Sequence, residues 1–555
     1  MDGDDVVMSE VALLEGPGAS FLGPGAQTAV LVSFLAFAGL SLLLCVLAAP
    51  ERDEVADFYA ANQSLTPFQA AIALVGGYMS AATLLSTTGL VAVVGYDGLA
   101  LVLSTSLALG VLLILAGPLR NAGRFTIGDI LALRMPGAAP RIAAAVATLA
   151  VSLPFLVVQL SGVGSATALL IGLENPGAQK ACIVFVGTLM ICYPVLGGMR
   201  GTTVVQILKV VIVFGAVAAV AVLVLNRFHW NVNTLLAAAA RGSGRPDVYL
   251  HSGLQLGQDL AGRLDFFGTQ LTVVLGLAVM PHMITQINSV ADGAAARRAS
   301  RYALTAISVF CLLVVIAGLG AAALVGDRTI TAVDPKGQMS LLLLAGGLEG
   351  GTANAAGSAL FTAVACAVFV AVLGVVAGAA LSAAAALAHD VHAHAVRRGR
   401  LTEAREIRSA RWSGVGIGVL GIVLATLSQG YNVNFLSSLA LAVAASSVLP
   451  AVVYTLFWRR YNRTGLLWTV YGGLATSIGL NVFSPTVSGT PFALFPHNDF
   501  HWYPMQTPGV VSIPTAFLLG WAGSVSARGR RADDGQGEPG YAEAEFRILT
   551  GAGGD

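Results

Sequence analysis

Apolar runs that are long enough to cross a lipid bilayer recur along almost the whole of this chain. A helix needs about 20 apolar residues to span a hydrocarbon core of about 30 Å, and thirteen segments of the chain meet that requirement. They are residues 27–49, 66–92, 98–118, 141–172, 179–196, 203–226, 266–288, 303–325, 357–388, 412–428, 433–458, 465–483 and 510–526. Because helices satisfy their own backbone hydrogen bonds in lipid, we expect an all-α integral membrane protein with about 13 transmembrane helices.

The composition excludes several other classes of protein. Apolar residues make up 56% of the 555 residues and charged residues 11%, so a soluble protein of this length is excluded. The net charge of +1 provides no large basic surface for nucleic acid. The five cysteines all lie in apolar segments without metal-ligand or redox spacing, and we expect them to be buried. The sequence indicates no cofactor and no obligatory protein partner beyond the lipid bilayer.

The distribution of basic residues predicts the orientation of the chain, because cytoplasmic loops are rich in Lys and Arg. With the N-terminus outside, the cytoplasmic side receives the basic clusters within 120–141, 297–301, 397–411 and 459–463. Residues 1–26 are acidic and form an extracellular tail in this prediction, while 527–555 form a disordered cytoplasmic tail. The long outer connections, 227–264 and 484–509, are interpreted as a cap with interfacial aromatic residues; a gate or substrate vestibule is the alternative.

Glycines interrupt the second predicted span. Gly76 and Gly77 stand in mid-membrane and are followed by Tyr78, Ser80 and Thr83. An unwound helix at this point would free carbonyl groups to coordinate a cation and amide groups to face an anion, as in transporters with discontinuous helices. Close packing of small residues against a neighbouring helix explains the same pattern, and the composition does not decide between the two.

Three further polar residues lie inside apolar segments. Gln159 in the fourth span has four hydrogen-bonding positions that need partners or a substrate. His282 follows Pro281 in the seventh span, and an ionisable side chain at membrane depth is a functional candidate; a histidine bonded to a freed carbonyl is the structural alternative. Lys209 lies about two turns into the sixth span, and we expect it to extend to the cytoplasmic surface.

Motifs of other membrane proteins are missing from the sequence. It contains no P-loop lysine motif for ATP, no HExxH metal motif and no row of arginines typical of a voltage sensor. An intramembrane hydrolase would need a Ser/His pair such as Ser80 and His282, but no GxSxG motif accompanies them. We therefore expect a transporter and not an enzyme. A passive channel would bind the same solute without accumulating it.

Five stretches carry a resemblance to a known family. They are Asp57–Ala61, Gly77–Leu99, Gly197–Lys209, Pro281–Arg297 and Ala371–Asp390. In these stretches, and over about residues 50–485 in order, the chain resembles the sodium:solute symporter family, and within it the cation/acetate symporter (acetate permease) branch.

The resemblance implies a LeuT-type core of two inverted five-helix repeats, here residues 66–458, that works by alternating access. Residues 27–49 would form a peripheral first helix, and 465–526 two peripheral C-terminal helices. It also implies a multi-pass protein of the bacterial inner membrane that couples uptake to an ion gradient.

The resemblance places a cation site on backbone carbonyls of Gly76, Met79 and Ala371. The family completes this sodium site with two hydroxyl side chains, whose positions here are Gly374 and Val375. Neither residue has a side-chain oxygen. The coupling ion is therefore either Na⁺ at the three carbonyls or H⁺, for which the titratable group would be His282.

The expected substrate is a short monocarboxylate such as acetate, propionate or pyruvate. Ser80, Thr83 and Gln159 would donate hydrogen bonds to its carboxylate, and Ser446 and Ser447 on the eleventh span would line the opposite wall. The alternative within the same fold is a sodium symporter for another small solute, such as a neutral amino acid, a sugar or a vitamin.

Overall fold

The structure is a computed structural model of the chain. It describes residues 24–49, 54–80, 82–171, 176–334, 336–348, 355–429, 435–490, 493–527 and 539–551. Most of the predicted extracellular tail (residues 1–26) lies outside this described part of the chain.

Helices make up nearly all of the described chain, and each of the thirteen predicted segments falls on a helix or a bent helix pair. In chain order the helices are α1 (Pro24–Leu47), α2 (Val55–Ala60), α3 (Pro67–Tyr78), α4 (Thr87–Val94), α5 (Tyr96–Ala122), α6 (Ile127–Ala132), α7 (Ala138–Ile171), α8 (Pro176–Arg227), α9 (Val232–Gly242), α10 (Leu260–Ala278), α11 (Pro281–Ile287), α12 (Gly293–Leu324), α13 (Asp327–Val333), α14 (Ser340–Gly347), α15 (Ala355–Ala385), α16 (Glu403–Leu427), α17 (Phe435–Val443), α18 (Leu449–Phe457), α19 (Arg463–Val482), α20 (Gly509–Ser526) and α21 (Pro539–Thr550). Short 3₁₀- or π-helical stretches adjoin some of them, at Ala61–Gln63, Ala82–Ser86, Ala386–Val396 and Ala444–Val448.

The described ranges contain nine helices that are long and apolar enough to cross a membrane, or ten when the bent pair formed by α3 and residues 83–94 is taken as one span. One of the nine, within α8, covers two predicted segments without a loop. The positions of the predicted spans are thus found as helices, whereas the number thirteen is not confirmed.

The second predicted span is broken just after its two glycines. Thr66 caps the start of α3 in a reciprocal pair with Gln69, and Pro67 occupies the first helical turn, where its missing N–H costs nothing. The helix ends at Tyr78, and the chain resumes its helical course at Thr83 after a bend of 68°. The sequence left open whether Gly76 and Gly77 mark a hinge or a close helix contact; the structure has a break one residue beyond Gly77's neighbour Tyr78 and close contacts at both glycines.

A second break separates α10 from α11. The first helix ends at Ala278, and Pro281 begins the next one, because proline fits the first turn of a helix but not its interior. In each predicted five-helix half, the first span is the broken one. This is the pattern expected of two inverted repeats with a site at their interface.

One residue bends the long helix α8. Gly198 has a φ of 51° and a ψ of −147°, a conformation that favours glycine. A Cβ at this position would also lie 3.0 Å from the carbonyl oxygen of Phe58. The two spans on either side of Gly198 are therefore joined by a single kinked residue and not by a flexible connection.

The predicted disorder of the C-terminal tail was wrong for α21. This helix packs on the end of α5: Nδ2 of Asn121 donates to the carbonyl of Ile548 (3.0 Å), and Nε of Arg547 donates to the carbonyl of Asn121 (3.2 Å). Ile548 and Ala544 are buried. The helix was missed because its few apolar residues find a partner surface only in the folded protein.

The connection 227–264 is bonded to the turn between α4 and α5. The hydroxyl of Tyr249 donates to the carbonyl of Val91 (2.6 Å), and the Asp97 carboxylate accepts from the amides of Gly253 (3.0 Å) and Gln255 (2.8 Å). These bonds order the loop against the end of the first broken span.

Candidate functional site

The unwound segment of the second span brings together two predicted substrate residues. The hydroxyls of Ser80 and Thr83 lie 3.1 Å apart, and Thr83 also donates to the carbonyl of Tyr78 (2.8 Å). The helical hydrogen-bond ladder stops here, because the amide of Ser80 donates to Tyr78 (2.8 Å) and not to Gly76. Carbonyl groups near the end of α3 are thereby released from the helix.

The two broken spans contact each other at their breaks. The hydroxyl of Tyr78 donates to the carbonyl of Leu277 at the end of α10 (3.3 Å). A Cβ built on Gly77 would lie 2.8 Å from Cε of Met283 on α11. The side chains around both breaks therefore form one buried region at the interface of the two repeats.

Helix α8 contributes two polar side chains to this region. Gln206 donates from Nε2 to the carbonyl of Gly374 on α15 (2.6 Å), and a Cβ on Gly76 would collide with its Oε1. Lys209 lies one turn later on the same helix face and donates from Nζ to the carbonyl of Ala371 (3.0 Å). The side chain of Lys209 is 0% exposed, so the expectation that it extends to the cytoplasmic surface was wrong.

A sodium ion at Gly76, Met79 and Ala371 does not fit this arrangement well. The Ala371 carbonyl already accepts a hydrogen bond from the Lys209 ammonium (3.0 Å). A Cβ on Gly374 would lie 2.6 Å from Oε1 of Gln206, which shows that the glutamine amide fills the space between α3 and α15.

Several buried polar atoms around the breaks lack a hydrogen-bond partner among the described residues. They are Nε2 of Gln159, Oε1 of Gln206, Nε2 of His282 and Oε1 of Gln286. Such atoms are rare in folded proteins, because a buried polar atom without a partner is costly. A polar solute or water at the breaks would supply the missing bonds.

His282 and Gln159 face the same region. The imidazole stacks on the ring of Phe155 at 5.7 Å, and Gln159 follows Phe155 by four residues on one face of α7. We call the following side chains the break cluster: Ser80, Thr83, Gln159, Gln206, Lys209, His282 and Gln286.

The structure places the other two predicted substrate residues in the π-helical stretch between α17 and α18. The hydroxyl of Ser446 lies 2.7 Å from that of Ser512 on α20, and Ser447 donates to the carbonyl of Val443 (2.6 Å). No hydrogen bond joins either of them to Ser80, Thr83 or Gln159 in the described chain.

The sequence interpretation missed Gln206, Lys209 and Gln286 as members of the site. A usable signal was present, because a glutamine and a lysine one turn apart in an apolar span lie on one helix face. The sequence does not show which residues this face contacts. Only the fold shows that it lies against Gly76 and Ala371.

A second group of polar residues lies at the far end of α15 and its π-helical extension. We call Asp129, Arg141, His389, Asp390 and Glu406 the charge cluster. Nη1 of Arg141 bonds Asp129 (2.9 Å) and Asp390 (3.0 Å), and the imidazole of His389 bonds Asp129 (3.1 Å) and Glu406 (2.6 Å). Burial raises the pKa of Asp129, but His389 and Arg141 outweigh it and hold that pKa below its usual value.

Possible metal ligands occur in the charge cluster, but a basic side chain already neutralises them. One ligand atom each of Asp129, His389 and Asp390 lies within 4.8 Å of the others. The guanidinium of Arg141 bonds both carboxylates, and Thr126 donates to Asp390 (2.8 Å). These contacts indicate a structural ion-pair network that joins α6, α7, α15 and α16.

Comparison with known proteins identifies the family. The profile of the sodium:solute symporter family matches residues 58–473. A monocarboxylic acid transporter of Corynebacterium glutamicum is 36% identical, over 99% of this chain and 98% of the relative. The uncharacterized symporter YwcA of Bacillus subtilis is 37% identical, over 93% of this chain and 97% of the relative.

Solved structures show the same fold. A substrate-bound, outward-open Na⁺-coupled sialic acid symporter superposes with a TM-score of 0.68 at 12% identity, over 90% of this chain and 97% of that one. The nucleobase-cation-symport-1 transporter Mhp1, in a closed conformation with bromovinylhydantoin bound, gives a TM-score of 0.55 at 14% identity, over 90% of this chain and 99% of that one. The chain is thus an all-helical membrane transporter with a LeuT-type core, and it belongs to the sodium:solute symporter family.

Proposed function

We propose that this protein imports a short monocarboxylate, such as acetate, propionate or pyruvate, together with Na⁺ or H⁺ by alternating access. The observation that supports an anionic substrate is the buried Nζ of Lys209 beside the first break, whose hydrogen bond goes to a neutral carbonyl, that of Ala371. A buried amine in such a place is protonated at little cost only where a counter-charge compensates it. A substrate carboxylate at the break would supply it, and the monocarboxylic acid transporter among the relatives agrees with this substrate class.

The carboxylate in this proposal lies in the unwound segment between α3 and α4. Ser80, Thr83 and Gln159 donate hydrogen bonds to it, and the half-helix that follows presents the positive end of its dipole. Ser446 and Ser447 form the opposite wall, for which their hydroxyls have to exchange their present partners. The residue range 66–458 is the transporting core, flanked by the peripheral helices 27–49 and 465–526.

The proposed setting is a bacterial inner membrane, with the N-terminus outside and the C-terminus in the cytoplasm. Support comes from the basic clusters, which collect on one side of the predicted spans. Proton coupling would use His282, whose Nε2 is buried without a partner among the described residues. Sodium coupling would use the carbonyls of Gly76, Met79 and Ala371.

Uptake of labelled acetate into proteoliposomes tests the proposal, with a Na⁺ gradient and a pH gradient imposed separately. Protein-free liposomes must be subtracted because undissociated acetic acid crosses lipid unaided. We expect accumulation above the external concentration, competed by propionate and pyruvate. The His282→Gln variant should lose proton-driven uptake, whereas His229→Gln, an exposed histidine, serves as the matched control.

Absence of accumulation under both gradients would refute the monocarboxylate proposal. A panel of neutral amino acids, sugars and vitamins would then test the alternative substrate classes in the same vesicles. Equilibration without accumulation would indicate a passive channel.

A further inference from the structure

Two monovalent cations compete for one backbone carbonyl in the break cluster. The family resemblance makes the carbonyl of Ala371 a sodium ligand, whereas the structure has the ammonium of Lys209 at 3.0 Å from it. An ammonium donates hydrogen bonds to the same kind of oxygen that coordinates a sodium ion. The two cations therefore exclude each other at this place.

We propose that the Lys209 ammonium replaces the sodium ion of the family, so that the protein binds no Na⁺ between α3 and α15 and transports without it. The consequence for transport rests on the proposed function. The absence of Na⁺ binding does not, since it can be measured without any substrate.

The surroundings of Lys209 support this replacement. The two positions where the family supplies hydroxyls carry Gly374 and Val375, so a metal ion at this place lacks those two side-chain oxygen ligands. Gln206 fills the adjoining space: its Nε2 bonds the Gly374 carbonyl (2.6 Å), and its Oε1 lies against Gly76.

A sodium ion entering this region would meet a like charge in a medium of low dielectric constant, where repulsion is strong. It would also have to displace the ammonium from Ala371 and the amide from Gly374. Both displaced groups are fully or almost fully buried, at 0% exposure for Lys209 and 1% for Gln206. The lysine Nζ thus takes the place of the ion as a part of the chain itself.

Thermal unfolding of the purified protein without substrate tests the replacement. NaCl is titrated against choline chloride at constant ionic strength, for the unchanged protein, Lys209→Ala and the control Lys180→Ala, which alters an exposed lysine of the same helix. We expect no Na⁺-specific stabilisation of the unchanged protein or the control. Lys209→Ala should gain a Na⁺-specific stabilisation. Na⁺ at ten times its Kd would shift the folding equilibrium of this variant about elevenfold.

Two outcomes would overturn the inference. Saturable stabilisation of the unchanged protein by Na⁺ would show that the ion and the ammonium coexist. A folded Lys209→Ala protein without any response to Na⁺ would show that the lysine does not stand in a cation site.

Binding of radiolabelled sodium to the unchanged protein covers the case in which Lys209→Ala does not fold. Saturable binding would contradict the inference, and its absence, together with acetate uptake at full rate in sodium-free buffer, would support it. A protein that neither binds Na⁺ nor accumulates acetate would refute the proposed function and leave the replacement of Na⁺ by Lys209 standing.

Discussion

The break cluster and the charge cluster both place a basic side chain where oxygen atoms would suit a metal ion, but they differ in how that charge is balanced. Arg141 bonds two carboxylates, at 2.9 and 3.0 Å. Lys209 bonds one neutral carbonyl, and its neighbours Gln206 and His282 have polar atoms without partners in the described chain. A balanced buried charge joins helices together, whereas an unbalanced one leaves a place for an anion.

The largest expected effect is on stability, from Arg141→Met. Removing the basic partner of a largely buried ion pair costs up to about 3 to 5 kcal/mol, and Asp390 is the more buried of the two carboxylates here. Asp129 and Asp390 would both lose their guanidinium, so folded protein in the membrane and the unfolding temperature should fall sharply. Thermal unfolding in detergent and membrane abundance measure this. An unfolding temperature within a degree of the unchanged protein would contradict the structural assignment of the charge cluster.

Lys209→Met should give the opposite pattern, with a small effect on folding and a large one on transport. Replacing a buried basic side chain that bonds no carboxylate by an apolar one of similar size leaves no buried charge unpaired. Loss of a charged hydrogen-bond partner costs the substrate about 1.5 to 3 kcal/mol, which is roughly 10- to 100-fold in KM for acetate. Kinetics of uptake measure it, with Lys180→Met as control. An unchanged KM would show that the ammonium does not face the carboxylate.

Gln159→Leu should weaken transport moderately, by about fivefold in KM, since a neutral hydrogen bond contributes about 1 kcal/mol. The control is Asn481→Leu on α19, because Asn481 is also a buried amide, with an Nδ2 that has no partner in the described part of the chain. The control lies on a predicted peripheral helix and should leave uptake unchanged. Equal effects of the two substitutions would mean that unpaired amides mark no site in this protein.

The smallest effect is expected from Ser446→Ala, below about twofold, because one weak hydroxyl bond is lost. Ser512→Ala removes the other half of the same 2.7 Å hydroxyl pair and should leave the KM for acetate unchanged, because Ser512 is not placed in the wall of the substrate site. If Ser446→Ala changed the KM no more than Ser512→Ala does, Ser446 would not belong to that wall.

Most of the fold was predictable because span-length apolar runs leave a chain few alternatives in lipid. Candidate positions for both breaks were also visible, since Gly76 and Gly77 and the Pro281 next to His282 weaken a helix locally, but the sequence left open whether the glycines mark a break or a close helix contact. The number of spans was not predictable, because nothing in the sequence at Gly198 distinguishes a kinked helix from a loop. The helix α21 depends on contacts with Asn121 that sequence periodicity does not contain.

The site was predictable only in part, and for a physical reason. Ser80 and Thr83 are local to the break, so their proximity follows from chain order. The direction of the Lys209 side chain depends on its bond to Ala371, which lies 162 residues further along the chain. The small side chains of α15 leave space for the lysine side chain, and the sequence around Lys209 does not indicate that space.

The kink at Gly198 has a mechanical consequence for alternating access. Loops between spans ordinarily provide slack, so that one helix tilts while its neighbour stays in place. Between the two halves of α8 there is no slack, because a single glycine at φ 51° connects them and the Phe58 carbonyl lies close against it. Any tilt of the half that carries Gln206 and Lys209 is therefore either absorbed by the torsions of Gly198 or transmitted rigidly to the preceding half.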